Sequence, residues 1–153
     1  MPATKLKQFL DDRGVKYVSI QHSPACTAPV VAKYAHVSGK DVAKTIIVKI
    51  EGEMAMVVLP ANRKIVFSEL QELLCEEVEL ASEAEFIGRF PDCELGAMPP
   101  FGKLYGMHIF LEDSLTHYHE IAFNAGNHRE VIKMATSDYL RTVDPVVMAF
   151  ATV

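Results

Sequence analysis

The sequence predicts an α+β fold, with one mixed or antiparallel central sheet and helices around it. Two observations support this: strand patterns and helical patterns alternate along the chain, and the alternation has no regular βαβ rhythm. The chain has 153 residues, half of them apolar, which is typical of a domain with a substantial core. We therefore expect a single domain over residues 1–153.

The N-terminal elements lead to the most apolar strand of the chain. Thr4 is a candidate N-cap for a helix that Gly14 ends, and Thr27 is a candidate N-cap for a second helix that stops at Ser38. The β-branched run at 46–48 predicts a buried strand. The expected order is a helix after residue 4, a strand at 15–20, a loop at 22–24, a helix after residue 27, and strands at 43–50 and 54–59 around a hairpin turn at 51–53.

The C-terminal elements are shorter. Ser68 with Gln71, and Ser82 with Glu85, match the capping-box pattern and predict the starts of two helices. Ser137 is a candidate cap for a last short helix. The expected strands are 78–80, about 107–111, 121–124, 131–134 and 146–150, with a break at 144–145 before the last of them.

Composition and charge exclude several classes of protein. The net charge of −5 argues against a protein that wraps long nucleic acid. The charge is uneven, since residues 1–64 carry ten basic and five acidic residues and residues 65–153 carry five basic and fifteen acidic ones. A basic half fits a local surface for an anionic ligand, and it also fits ordinary solvated charge. No apolar run is long enough to cross a bilayer and no signal-peptide pattern occurs, so we expect a cytoplasmic protein.

Motifs for metals, nucleotides and nucleophiles are weak or missing. The three cysteines lie far apart and form no C-x-x-C pair. His117 and His119 belong to no complete ligand motif, and no H-E-x-x-H, G-x-S-x-G, P-loop or dinucleotide fingerprint occurs. We expect neither a metal nor another cofactor.

One segment rich in glycine and proline is the most informative stretch of the chain. Pro99 and Pro100 fix φ and lack N–H groups, so the segment can be neither helix nor central strand. Gly96 and Gly102 can take angles that other residues avoid, and they let another molecule approach the main chain. We expect a stiff loop that exposes Phe101 and holds a small ligand; an ordinary connection between strands is the alternative. The segment reads Gly96-Ala97-Met98-Pro99-Pro100-Phe101-Gly102.

Two further features are candidates for chemistry. Lys44 stands at the start of the apolar strand, where a lysine either reaches solvent or points at an anionic group. The segment from Ala125 to His128 follows the strand at 121–124, and Gly126 and Asn127 form a turn whose amides can bind an anion. A plain hairpin turn explains the same residues.

Taken together, these motifs and their order resemble the YbaK/EbsC family, which includes the editing insertion domain of bacterial prolyl-tRNA synthetases. The resemblance runs from about Thr4 to Pro145 and rests on the lysine strand, the G-x-x-x-P loop and the Ala-Gly turn as a set. It implies hydrolysis of the ester bond in a mischarged aminoacyl-tRNA, without a metal or a covalent nucleophile. A small amino acid on tRNA(Pro) is the first candidate substrate.

The resemblance also implies residue roles. Lys44 and the loop positions Gly96, Pro99 and Gly102 would be catalytic: Lys44 sits by the terminal adenosine, and the loop positions the reacting carbonyl. Water, assisted by the ribose hydroxyl of the substrate, would attack the ester. The implied substrate-binding residues are His22, Thr45, Ala97, Met98, Pro100, Phe101, Gly126, Asn127 and His128.

The implied partner is the CCA end of an aminoacyl-tRNA, with no membrane and no DNA; whether the protein also docks on an aminoacyl-tRNA synthetase stays open. The basic residues Lys40, Lys44, Lys49, Arg63 and Lys64 could contact the tRNA phosphates. A non-catalytic binding or regulatory module with the same fold is the alternative function.

Overall fold

The computed structural model describes residues 2–22 and 42–152, and these ranges form a large mixed sheet flanked by helices. This architecture confirms the α+β prediction. The helices of these ranges are α1 (Pro2–Asp12), α2 (Phe67–Leu74), α3 (Glu83–Phe86) and α4 (Thr136–Val143). Short 3-10 helices lie at Ile87–Arg89, Gly102–Leu104 and Asp113–His117. The helix expected after Thr27 lies outside the described residues.

The strands of the described ranges are β1 (Tyr17–Gln21), β2 (Val42–Ile50), β3 (Glu53–Pro60), β4 (Lys64–Ile65), β5 (Val78–Leu80), β6 (Ile109–Glu112), β7 (Glu120–Asn124), β8 (Glu130–Ala135), β9 (Val146–Met148) and β10 (Ala151–Thr152). The main sheet has the order β1-β8-β7-β2-β3-β6-β9, and β5 also pairs with β2. The contacts β2–β7, β3–β6 and β6–β9 are parallel, whereas β1–β8, β7–β8, β2–β3 and β2–β5 are antiparallel. A separate two-stranded sheet joins β4 to β10.

The sheet separates two hydrophobic clusters, because successive side chains of a strand point to opposite faces. The larger cluster covers the face that α1 packs on, and it includes Ile47, Phe101 and Phe123. The second cluster lies on the other face and brings α2 and Phe150 against β2 and β3. Burial of these apolar side chains supplies the main driving force for the fold.

Three expected helix caps are wrong. Helix α1 begins at Pro2, so Thr4 lies inside it, and α4 begins at Thr136, so Ser137 lies inside it. Helix α2 begins at Phe67 after Val66, and Ser68 makes no cap. A long-range contact decides the last case: the N–H of Val66 donates to the carbonyl of Phe150 at 2.8 Å, which fixes Val66 in an extended conformation.

Local signals succeeded where no long-range contact opposed them. Ser82 and Glu85 form the complete capping box that the sequence predicts, although α3 has only four residues. The strand at 78–80 is found with the expected bounds. The expected strand at 146–150 ends at Met148, however, and the chain then forms β10 against β4, a pairing that its sequence does not indicate.

Candidate functional site

The Gly96–Gly102 segment, called the Gly/Pro loop below, forms no strand and enters a 3-10 helix at its last residue. Gly96 has a φ of +80°, which a residue with a side chain rarely adopts. The side chains of the middle residues point away from solvent, since Ala97, Met98, Pro99 and Pro100 are all buried. The loop is therefore packed against the body of the protein along most of its length.

Phe101 anchors this loop in the core. The expectation that Phe101 is exposed is wrong: only 1% of it is accessible, because its ring makes edge contacts with three aromatic rings. The ring centroids lie 5.9 Å from Phe9, 5.2 Å from Phe123 and 5.5 Å from Tyr139. The hydroxyl of Tyr139 donates to the carbonyl of Pro100 at 2.8 Å. The loop thus turns its aromatic side chain inward.

Gly102 is required by the packing of the chain on itself. A Cβ atom at Gly102 would lie 2.1 Å from the carbonyl oxygen of Met107 and 2.9 Å from a side-chain carbon of Ile109. The carbonyl of Gly102 accepts hydrogen bonds from the N–H groups of Tyr105 and Met107, both at 3.0 Å. The group that packs closely against the main chain at Gly102 is therefore the Met107 carbonyl of the protein itself, and not a bound ligand.

The turn at residues 125–128 is bonded directly to the Gly/Pro loop and to the residues before it. The N–H of Gly126 donates to the carbonyl of Ala97 at 2.9 Å, and the N–H of Glu94 donates to the carbonyl of Gly126 at 2.8 Å. Gly126 has a φ of +96°, so the turn also depends on a glycine. Two bends that lie far apart in sequence therefore form one unit.

His128 and Asn127 support this unit. The carbonyl of Leu95 lies 2.7 Å from Nε2 of His128, and because a carbonyl only accepts, Nε2 must carry the proton. The backbone N–H of His128 donates to a carboxylate oxygen of Glu94 at 3.3 Å. The Asn127 carbonyl oxygen Oδ1 accepts from the N–H of Arg129 at 2.8 Å, which closes the turn locally. The expected substrate-binding roles of both residues remain predictions.

His22 reaches the same end of the sheet. Its backbone N–H donates to the carbonyl of Arg129 at 2.7 Å, directly after the turn. The side chain of His22 is half-buried. The residues that follow, 23–41, lie outside the described ranges.

Lys44 lies on β2 beside the strand that leads into the turn. Strand β2 pairs in parallel with β7 at Val42 and Ala43, the latter opposite Phe123, so the next residues along the two strands are Lys44 and Asn124. The turn begins one residue after Asn124. Strand β7 pairs with β2 at Val42 and Ala43, and β5 pairs with it only from Val48 onward. The edge of β2 over residues 44–47 therefore pairs with neither strand.

Lys44 and Thr45 point to opposite faces of β2. Thr45 is on the same face as Ala43 and Ile47, which belong to the larger cluster, and it is 7% exposed. Lys44 shares the other face with Ile46 and is half-buried. Burial lowers the pKa of the Lys44 ammonium group, and the nearby charge of Lys64 lowers it further.

Sequence reasoning missed the contacts that assemble the site. Glu94 and Leu95 precede the motif, yet they make the bonds to the turn, and Tyr139 supports Pro100 from α4. Lys49 was expected among the phosphate contacts, but its ammonium group is paired with Glu79 at 3.3 Å and with Glu85 at 2.5 Å. The acidic pattern around β5 was the available signal for this pairing.

Two negative findings concern the described ranges only. No group of three or more His, Cys, Asp or Glu side chains within 2–22 and 42–152 could hold a metal ion. No helix of these residues is long and apolar enough to cross a membrane. Nε2 of His117 lies 3.3 Å from a carboxylate oxygen of Asp113, and both side chains are exposed.

The sequence profile of the aminoacyl-tRNA editing domain family matches residues 22–142, which is most of the chain and includes every predicted site residue. The chain belongs to this family. The predicted YbaK-like identity is therefore confirmed, and the protein is an aminoacyl-tRNA deacylase, an enzyme that hydrolyses the ester between an amino acid and its tRNA.

Individual relatives agree with this assignment. The chain is 26% identical over 152 residues to the multifunctional Ser/Thr-tRNA deacylase ProXp-y of Escherichia coli K12, covering 95% of this chain and 90% of the relative. A solved structure of a candidate trans-editing enzyme for prolyl-tRNA synthetase superposes with a TM-score of 0.85 at 17% identity, covering 99% of this chain and 98% of the other. That likeness shows the fold.

The same fold also occurs inside a larger protein. A candidate signal transduction protein from Marinobacter aquaeolei superposes with a TM-score of 0.77 at 12% identity, and the match covers 98% of this chain but only 31% of that one. The fold alone therefore does not determine a function.

Proposed function

We propose that this chain is a trans-editing hydrolase that removes a small amino acid from a mischarged tRNA, with tRNA(Pro) as the first candidate. The observation that carries the proposal is the bonded unit of the Gly/Pro loop and the 125–128 turn; this turn directly follows β7, which pairs with the start of β2 next to Lys44. The relationship to a Ser/Thr-tRNA deacylase supports serine and threonine as the first amino acids to test. Such a substrate is made and used where translation occurs, which supports a cytoplasmic location.

The loop offers hydrogen-bond donors for the reacting carbonyl. None of the hydrogen bonds found within residues 2–22 and 42–152 uses the N–H of Gly96 or of Met98, and Met98 is 5% exposed. A buried N–H group is nearly always paired, so the unused N–H of the buried Met98 suits an acceptor supplied by a ligand, whereas Gly96 is exposed and its N–H is open to water or a ligand. We infer that the amide of Met98, together with that of Gly96, stabilises the negative charge that develops on the carbonyl oxygen of the ester.

The chemistry needs little more than positioning and charge stabilisation. An aminoacyl ester is already activated, so holding a water molecule against one face of its carbonyl carbon can give a large rate increase. The ribose hydroxyl of the substrate assists that water, and no metal takes part. The ammonium group of Lys44 supplies a positive charge near the terminal adenosine, where it fixes the substrate.

A panel of tRNAs charged with wrong amino acids tests the proposal. We expect hydrolysis of at least one small aminoacyl-tRNA, and Lys44→Ala should lower its kcat/KM by about 100-fold, because a substrate that is no longer fixed loses the geometry needed for attack. Lys49→Ala is the matched control, because its charge is already neutralised by Glu79 and Glu85. Circular dichroism would confirm that both variants fold. Tight binding of an aminoacyl-adenosine analogue without turnover of any tRNA would contradict the proposal and favour a regulatory module.

A further inference from the structure

A second lysine lies on the same side of the sheet as Lys44. Lys44 pairs with Leu59 across the β2–β3 hairpin, and β3 ends one residue later. The chain then turns tightly, since the N–H of Ala61 donates to the carbonyl of Val42 at 2.8 Å and the N–H of Arg63 to that of Pro60 at 3.0 Å. Strand β4 follows at once and begins with Lys64.

Packing keeps β4 on the face that Lys44 occupies. Ile46, the next residue of β2 on that face, and Ile65 both pack against the second hydrophobic cluster. The pairing of Lys64 with Thr152 fixes β4 against β10. Lys64 therefore lies on a short strand that is paired with β10, at the end of the main sheet where β2 begins. Its side chain is exposed.

These two cations lack an anionic partner in the described part of the chain. The ion pairs found there involve other residues, for example Lys7 with Glu130 and Lys49 with Glu85. The charge of Lys64 acts on Lys44, because it contributes to the lowered pKa of that residue. Two like charges that act on each other are unfavourable, and an anion placed between them would remove the repulsion.

We propose that Lys64 is a substrate-positioning residue. Lys64 and Lys44 together bind one backbone phosphate of the single-stranded 3′ end of the tRNA. This inference rests on the proposed function. Lysine is well suited to such a phosphate, since its compact charge needs no fixed geometry. The pair also orients the substrate: the aminoacyl group carries its own ammonium group, which two cations repel. The phosphate end therefore lies at the lysines and the amino acid at the Gly/Pro loop.

Kinetics with the wild-type protein and with Lys64→Ala test this positioning role. We expect KM for the mischarged tRNA to rise about tenfold in Lys64→Ala while kcat stays nearly constant, because a phosphate contact binds ground state and transition state alike. The negative slope of log kcat/KM against log salt concentration should become shallower by up to about 0.7, the value for one complete phosphate contact on a single strand. Lys64→Arg should restore most of the loss.

The matched control is Lys16→Ala, which removes the same charge from an exposed residue just before β1, at the far edge of the sheet.

A second comparison tests the phosphate itself and uses the 3′-aminoacyl ester of adenosine with and without a 5′-phosphate. The effect of Lys64→Ala should appear only with the phosphorylated ester. If Lys64→Ala and Lys16→Ala share the same KM and salt slope, the inference is overturned although hydrolysis persists.

If the wild-type protein hydrolyses no tRNA of the panel, the proposed function fails. The inference is then tested by calorimetric binding of a non-hydrolysable aminoacyl-adenosine 5′-phosphate. A phosphate-dependent affinity that Lys64→Ala lowers about tenfold supports the lysine pair. Equal affinities of the wild type and Lys64→Ala reject it.

Discussion

At the residue scale, Glu130 shows how a buried charge is kept. This carboxylate is 5% exposed and lies at the start of β8, where it joins α1 and β1 to the sheet. It pairs with Lys7 at 2.6 Å and accepts hydrogen bonds from Ser19 and Gln21. Burial by itself raises the pKa of Glu130, but these partners outweigh it and hold the pKa below its usual range.

The Glu130 carboxylate should therefore stabilise the protein in a pH-dependent way. Its folded-state pKa is depressed, so the stabilisation is present above the unfolded-state pKa of about 4.3 and is lost as pH falls through the folded-state value. We expect Glu130→Gln to lower the free energy of unfolding by about 1–3 kcal/mol at pH 7, and by much less near pH 2. Urea unfolding at the two pH values measures this.

Glu79→Gln is the control for this experiment. Glu79 is 71% exposed and its pair with Lys49 is solvated, so its loss should change stability by well under about 1 kcal/mol. A Glu130→Gln variant that is as stable as this control at pH 7 would show that the network does not stabilise the fold.

At the scale of elements, the Gly/Pro loop is held by the residues that follow it, Met107 and Ile109, as well as by its own residues. The sequence predicts a stiff loop from its prolines, and the loop is indeed irregular and buried. The space beside Gly102 was expected to admit another molecule, but the carbonyl of Met107 fills it, while the catalytic role of Gly102 stays a prediction. The local motif thus predicts where the loop lies, whereas the later residues Met107 and Ile109 determine which atoms pack against Gly102.

Two glycine substitutions separate these effects. Gly102→Ala places a Cβ 2.1 Å from the Met107 carbonyl, so the backbone must shift, and we expect a loss of at least about 2 kcal/mol of stability. At Gly88 a Cβ meets nothing within 4 Å, and Gly88→Ala should be neutral or stabilise by up to about 1 kcal/mol. Thermal melting of both variants checks the difference. Equal melting temperatures would mean that the loop accommodates the methyl group without strain.

At the scale of the whole molecule, charge is used locally. The chain carries a net charge of −5, yet its ligand is polyanionic. Among the described residues, acidic side chains pair with two lysines of the basic half, Lys7 and Lys49. Lys44 and Lys64 keep their charge free of such pairs within the described ranges. A short single-stranded end needs few phosphate contacts, so an acidic protein can bind it.

Removal of metal ions tests the mechanism of the complete enzyme. The sequence contains no complete metal-ligand motif, and in the proposed mechanism the loop and Lys44 supply charge stabilisation without a metal. We expect hydrolysis of the mischarged tRNA to be unchanged after incubation with EDTA and removal of the chelator. Loss of activity that Zn²⁺ restores would contradict a metal-free reaction. The tRNA substrate should be folded separately in Mg²⁺, so that only the enzyme is treated.

The sequence by itself determined the fold class, the β2–β3 hairpin and the motifs that mark the site. These depend on local interactions: side-chain alternation in strands, the positive φ of Glu51 and Gly52 in the hairpin turn, and the capping box at Ser82. Such interactions act between residues a few positions apart, so a single sequence displays them.

Only the tertiary structure decided how the marked residues are supported. It turned Phe101 into the core, bonded Gly126 to Ala97, bonded Val66, the residue before α2, to Phe150, and placed Lys64 on the same side of the sheet as Lys44. Each of these contacts joins residues about 20 or more positions apart. Which distant groups meet depends on the path of the whole chain around the sheet, and the local pattern of either partner does not contain that information.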